Sequence, residues 1–165
     1  MFRSSKTYGH DIGLSACFRQ WRADSHCNLL HGYALSIHLE FEAAELDERN
    51  WVVDFGSLKS FKHQLEDTFD HKLLVAEDDP ALPFLRMLNV AETGISADRN
   101  EHIRPKLADI VIVPATGCEA FAKLIYEAAQ LWLKDAGYAP RVRMHSVTVR
   151  EHGANAATYT ESPHV

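Results

Sequence analysis

From Tyr33 to Glu42 the chain alternates, with Tyr33, Leu35, Ile37, Leu39 and Phe41 set against Ala34, Ser36, His38, Glu40 and Glu42. A period of two is that of a β-strand with one face in the core and one in water. His31 is in phase with the apolar set, so it points the same way as Tyr33. Upstream, roughly residues 8–22 read as a partner strand with Ile12, Leu14 and Ala16 on one face, joined to the first by the polar segment Ala23-Asp24-Ser25-His26.

The period changes after Gly56. Leu58, Phe61, Leu65 and Phe69 recur at three and four residues, the stripe of an amphipathic helix. Asp54 is its expected cap, and its end falls near Asp70-His71. Residues 77–108 are rich in Asp, Pro, Gly, Asn and Arg and read as a long loop with a turn of helix around Leu82–Leu88. Asp109–Val113 is a short strand. Thr116-Gly117-Cys118-Glu119 has the spacing of a capping box, which opens a second helix with Phe121, Leu124, Ile125, Ala128, Leu131 and Trp132 on its buried face. Gly137 and Pro140 stop it. Val142–Val149 is a further strand whose apolar phase slips near Ser146, which predicts a bulge. A last strand covers Asn155–Thr160. The order predicts an α+β domain, a four-stranded antiparallel sheet with both helices on one face. Its edges carry no obvious block against pairing with another copy, so a homo-oligomer is expected.

Length and composition narrow this further. At 165 residues the chain makes a single domain, residues 1–165, and 46% hydrophobic with 24% charged residues is ordinary for a globular protein. No apolar run is long enough to span a membrane, and the start MFRSSKTYGHD lacks the apolar centre of a signal peptide. Three cysteines, an odd number, fit reduced thiols and a cytoplasmic location. A formal charge of -6 disfavours nucleic acid as a partner. Ten histidines point toward metal or proton chemistry without placing it.

The candidate chemistry starts at Cys27-Asn28-Leu29-Leu30-His31-Gly32-Tyr33. A thiol four residues before a histidine can make a nucleophile, a metal site or only a small buried hydrophobe. Asp70-His71 is either a proton-transfer dyad or the polar end of a helix, where a histidine meets the helix dipole. Glu119 is either a ligand-binding acid or the capping-box partner of Thr116. Glu151, followed by His152-Gly153, is either an acid in a site or a solvated strand end.

Taken in order, Cys-x-x-x-His-Gly and its strand, Val53-Asp54-Phe55-Gly56-Ser57-Leu58-Lys59, Asp70-His71-x-x-Leu74, Glu119 and Glu151 resemble the 6-pyruvoyltetrahydropterin synthase and 6-carboxytetrahydropterin synthase family over residues 10–160. The resemblance implies the tunnelling fold, in which subunits join their sheets into a barrel, as a trimer or a hexamer. It implies a lyase acting on 7,8-dihydroneopterin triphosphate, with 6-carboxytetrahydropterin synthase activity in queuosine-type deazapurine synthesis preferred. The 6-pyruvoyl reaction, or a pteridine- or purine-binding protein without turnover, is the alternative. Cys27 is then the proton-moving thiol, Asp70 and His71 its dyad from a neighbouring subunit, and Glu119 and Glu151 the anchors of the pterin ring. Carboxylates suit that task because one can accept two parallel hydrogen bonds from a 2-amino-4-oxo pteridine.

The family's zinc is where this sequence departs. The three ligand positions carry Phe18, in Leu14-Ser15-Ala16-Cys17-Phe18, then His31 and Tyr33, so only His31 remains a ligand. Catalytic zinc needs three protein ligands and an open position, and a tyrosine must lose a proton of pKa near 10 to serve. Either the strands align differently and Cys17, His26, Cys27 or His10 complete the site, with His26 the leading substitute, or zinc has been lost. Val75 and Gly117 also differ from the family's asparagine and threonine, and the loop 77–108 is longer than is typical.

Overall fold

The computed structural model describes residues 1–89 and 107–161. Its strands are β1 (Phe2–Tyr8), β2 (Leu14–Phe18), β3 (His31–Ala43), β4 (Lys72–Ala76), β5 (Ile110–Val113), β6 (Val142–Arg150) and β7 (Ala156–Tyr159), and its α-helices α1 (Lys59–Phe69), α2 (Leu82–Arg86) and α3 (Cys118–Asp135). The sheet runs β5-β4-β2-β3-β6-β7, with β1 also on β3.

The alternating segment is the spine. β6 pairs with β3 from Ser36 to Ala43, while β1 and β2 share its other edge, Tyr8 opposite Ile37 and Leu14 opposite Leu35. The partner strand expected at 8–22 is thus shorter and interrupted by a 3-10 turn, His10–Ile12, which leaves Ile12 37% exposed and not on the inner face. β2, β3, β6 and β7 are the antiparallel set that the patterning predicts. β4 and β5 extend it in parallel beyond β2.

Leu35, Ile37, Leu39 and Phe41 are fully buried, each contributing about 1.5–3 kcal/mol from removal of apolar surface from water. Against them pack Phe61, Leu65 and Phe69 of α1 and Phe121, Ile125, Ala129 and Leu133 of α3, in one core. Phe121 joins the helices to the strands, lying edge-on to Phe69 at 5.4 Å and to Phe18 at 5.0 Å. The inner face of α3 is rotated from the expected one, so Leu131 is 64% exposed. The anticipated bulge is present: Glu40 pairs with Ser146 and Phe41 with Met144, leaving His145 as the extra residue of β6.

On the opposite face of the sheet, the Glu42 carboxylate is nearly buried among Arg143, His145 and Arg3. That network explains how a charged residue of the wet face can lie out of water.

Two expected helix caps differ. The Asp54 carboxylate accepts from the Gly56 amide at 2.8 Å, one turn ahead of α1, which has no side-chain cap. The N-cap of α3 is Gly117, also without one, because the Thr116 hydroxyl donates to the Arg19 carbonyl at 2.6 Å. The capping box does not form, and Glu119 is released from that role. Of the expected loop 77–108, residues 90–106 lie outside the described residues, and α2 is its turn of helix. No helix among the described residues is long and apolar enough to cross a membrane.

Candidate active site

A pocket of about 530 Å³ opens where β3 begins, α3 begins and β6 ends. Its lining includes Cys27, His31, Tyr33, Cys118, Glu119 and Glu151. Four sequence candidates from three distant stretches, Cys27, His31, Glu119 and Glu151, therefore meet in one cavity.

Local structure sets each one. Cys27 sits in a 3-10 turn, His26–Asn28, capped by the Ser25 hydroxyl, and the Gln20 amide donates to the Cys27 carbonyl at 2.8 Å to close the loop. Arg19 holds this loop from outside through the Asn28 carbonyl at 3.2 Å, and grips Asp79 with two further bonds. Glu119 lies in the first turn of α3, where the helix dipole favours a carboxylate. Gly117 sits at φ +111, a backbone conformation that favours glycine at this entry to α3, and the Gln20 side-chain amide occupies the space beside it. Glu151 leads the turn into β7, its amide donating to the Asn155 carbonyl.

Burial, and next the charge of Glu151, push the Cys118 thiol up to about 12, so it is a protonated, inert thiol at neutral pH. Burial and then the Glu151 charge also raise the Tyr33 phenol. Sequence reasoning missed Gln20, Cys118, His152 and Asn155, which also line the pocket. Cys118 and His152 are direct neighbours of Glu119 and Glu151, and that adjacency was the available signal.

Asp70 and His71 do not line this pocket. They form a dyad of their own, His71 Nδ1 at 2.8 Å from Asp70 Oδ1, anchored to β2 because the His71 amide donates to the Ser15 carbonyl and the Ser15 amide to Asp70. His71 adopts φ +55 and its ring is 83% exposed.

The strand register decides how the zinc positions align. Phe18 is the direct cross-strand partner of His31, and Ala16 that of Tyr33, so Phe18, His31 and Tyr33 do occupy one locus. Gly32 between them is required by close approach, since a Cβ there would lie 2.9 Å from the Ala16 carbonyl oxygen. Phe18 is fully buried, with its ring 5.0 Å from that of His31 and 6.1 Å from that of Tyr33. Of the substitutes, Cys17 packs into the small cluster around Leu73 and Val75 on the other face, and the His10 ring bonds to the Ala34 carbonyl. His26 and Cys27 do border the pocket with His31, yet no group of three His, Cys, Asp or Glu residues suited to a metal occurs among the described residues. Among the described residues the donor set at this locus does not fit the family's zinc.

A mixed, mainly antiparallel sheet backed by two helices, with acids and a thiol gathered at the strand ends, defines an α+β protein of the tunnelling-fold class. Residues 10–162 match the family described as 6-pyruvoyl tetrahydropterin synthase, and the chain belongs to that family. A 6-carboxy-5,6,7,8-tetrahydropterin synthase of Aquifex aeolicus is 26% identical over 164 residues, covering 98% of this chain and 90% of that protein. Among solved structures, a protein of Wolinella succinogenes superposes with a TM-score of 0.74 at 20% identity, covering 98% of both chains. The 6-pyruvoyl tetrahydropterin synthase of Plasmodium falciparum does so with 0.63 at 13% identity, covering 96% of this chain and 98% of that one. At these identities the structural likeness speaks to the fold.

Proposed function

We propose that this chain is a pterin-triphosphate lyase of the 6-carboxytetrahydropterin synthase type, acting on 7,8-dihydroneopterin triphosphate in deazapurine synthesis of the queuosine kind. The observation that carries the reading is the convergence of Cys27, Glu119 and Glu151 on one pocket of about 530 Å³. The name of the Aquifex aeolicus relative supports the choice of reaction.

In this reading Glu151 accepts hydrogen bonds from the amino group and ring nitrogen of the pteridine, with Glu119 beside it. Cys27 moves protons on the side chain, which takes up one water, loses triphosphate and acetaldehyde, and keeps its first carbon as the carboxylate. Among the described residues the lining contains no lysine or arginine; of these residues, His26, His31 and His152 are placed to meet the triphosphate charge, together with groups of another copy. The outward Asp70-His71 dyad supplies such a group: in a trimer or hexamer it reaches the Cys27 pocket of a neighbour and exchanges protons with the thiol.

A second reading, a pteridine- or purine-binding protein without turnover, is favoured by Phe18 and Tyr33 at the metal positions. Incubating untagged protein with 7,8-dihydroneopterin triphosphate separates the cases. Acetaldehyde release supports the carboxy reaction. Triphosphate release without acetaldehyde supports the pyruvoyl reaction, and retention of unreacted pterin supports the binder.

A further inference from the structure

We propose that this pocket works without a metal ion, because an aromatic wall of Phe18, His31 and Tyr33 has replaced the coordination site and presents the Tyr33 hydroxyl and His31 Nε2 to ligand oxygens as hydrogen-bonding groups. The proposal rests on the reading of the pocket as a pterin site.

Three observations carry it. Phe18 is not a loose substitution at the rim: it is fully buried, faces His31 across the β2–β3 ladder and lies edge-on to Phe121 of α3. Its ring fills the space that a third ligand would need and couples that space to the core. The His31 ring is also fixed, with Nδ1 2.6 Å from the Leu29 carbonyl. A carbonyl can only accept, so Nδ1 carries the proton and the other ring nitrogen, Nε2, is left for a ligand. Finally, the Tyr33 ring lies edge-on to His31 at 5.5 Å and tilted against His152 at 5.9 Å. Its hydroxyl makes no hydrogen bond among the described residues, and Tyr33 is one of the residues that line the pocket.

A phenol O–H and an unprotonated imidazole nitrogen together offer one donor and one acceptor. That suits a hydroxyl or carbonyl oxygen of the ligand, and it needs neither a third ligand nor loss of the phenolic proton. Rings in mutual edge contact keep both groups oriented before the ligand arrives.

Metal analysis and neopterin binding, both on the untagged full-length protein, test this separately from turnover. The expected result is metal far below one atom per chain, neopterin affinity unchanged by a chelator, and a loss of roughly tenfold in affinity for Tyr33→Phe, the size of one buried hydrogen bond. Phe18→His with Tyr33→His should gain zinc if it folds; Tyr33→Phe keeps the ring and serves as the test if it does not. Stoichiometric metal in the parent, removed by His31→Ala, would overturn the proposal. So would Tyr33→Phe protein that binds neopterin as tightly as the parent. A metal-free parent that does not bind neopterin at all would overturn the pterin reading and the assigned role of Tyr33.

Discussion

Arg19 and Asp79, sixty residues apart, are locked side chain to side chain by two parallel hydrogen bonds of 2.8 and 2.7 Å. Asp79 is 1% exposed and also accepts from the Ala81 amide, while Arg19 reaches on to the carbonyl of Asn28, next to Cys27. The pair ties the Cys27 loop to the start of α2.

Breaking this pair should destabilise the fold and disturb the thiol together. Because Arg19 retains some exposure, Asp79→Asn should cost about 2–3 kcal/mol, below the value for a fully buried pair. The Arg19 hydrogen bonds hold the Asp79 carboxyl below the usual carboxylate range. Its contribution is complete above the unfolded value near ~3.9 and is lost as pH falls through the lower folded value. Thermal melts from pH 7 down to pH 2 should show Asp79→Asn less stable at pH 7 and less sensitive to acid. A variant with an unchanged acid limb would show that other carboxylates set it.

The pocket acids should separate binding from chemistry. Glu151→Gln replaces a charge-assisted acceptor by an amide whose donor end meets ligand donors, and should weaken pterin binding by roughly 1.5–3 kcal/mol in calorimetry. Cys27→Ala should leave that affinity nearly intact and abolish turnover, because the thiol moves protons and does not hold the ring. Small effects of both changes would remove the pocket from the account.

Thiol reactivity should be selective. Burial pushes Cys17 up and, with the Glu151 charge, takes Cys118 to about 12. At pH 8 iodoacetamide should therefore mark Cys27 first, with Cys118 protected until the protein unfolds, as read by peptide mass spectrometry. Equal rates at Cys27 and Cys118 would contradict the placement of Cys118 beside Glu151.

Much of this was legible in the sequence wherever one face is wet and the other dry. The alternation of β3, the stripes of α1 and α3 and the slip in β6 all follow from burial on one side. β1 was not legible, because its FRSSKTY segment has little apolar signal and is a strand through its pairing with β3. β4 was hidden for the opposite reason: Leu73, Leu74, Val75 and Ala76 are all buried, and a short continuous apolar run has no period to read. Thr116 and Glu119 have capping-box spacing, yet a partner from Arg19, remote in sequence, takes the threonine hydroxyl. In the site, the resemblance matched Phe18, His31 and Tyr33 to the family's ligand positions but left the strand alignment open, which the pairing of Phe18 with His31 decides, whereas Gln20 and Asn155 enter the pocket only through the closure of loops.

If the Asp70-His71 dyad acts on a neighbour's pocket, Cys27→Ala and His71→Ala protein should each be inactive alone. Mixed and reassembled, they should recover part of the activity, since some pockets then pair an intact Cys27 with an intact dyad. Sedimentation should give a mass that is a multiple of the 18.6 kDa chain. No recovery from subunits shown to exchange would place the dyad outside the reaction.

A crystal structure of the protein soaked with neopterin reads directly whether a pteridine ring binds between Glu151 and Cys27. The ring is expected in that pocket, its amino edge within hydrogen-bond distance of the Glu151 carboxylate and its side chain directed toward Cys27 and Tyr33. Ring density elsewhere, for example in the apolar groove lined by Phe2, Trp51 and Phe55, with the Glu151 pocket holding only water, would contradict it.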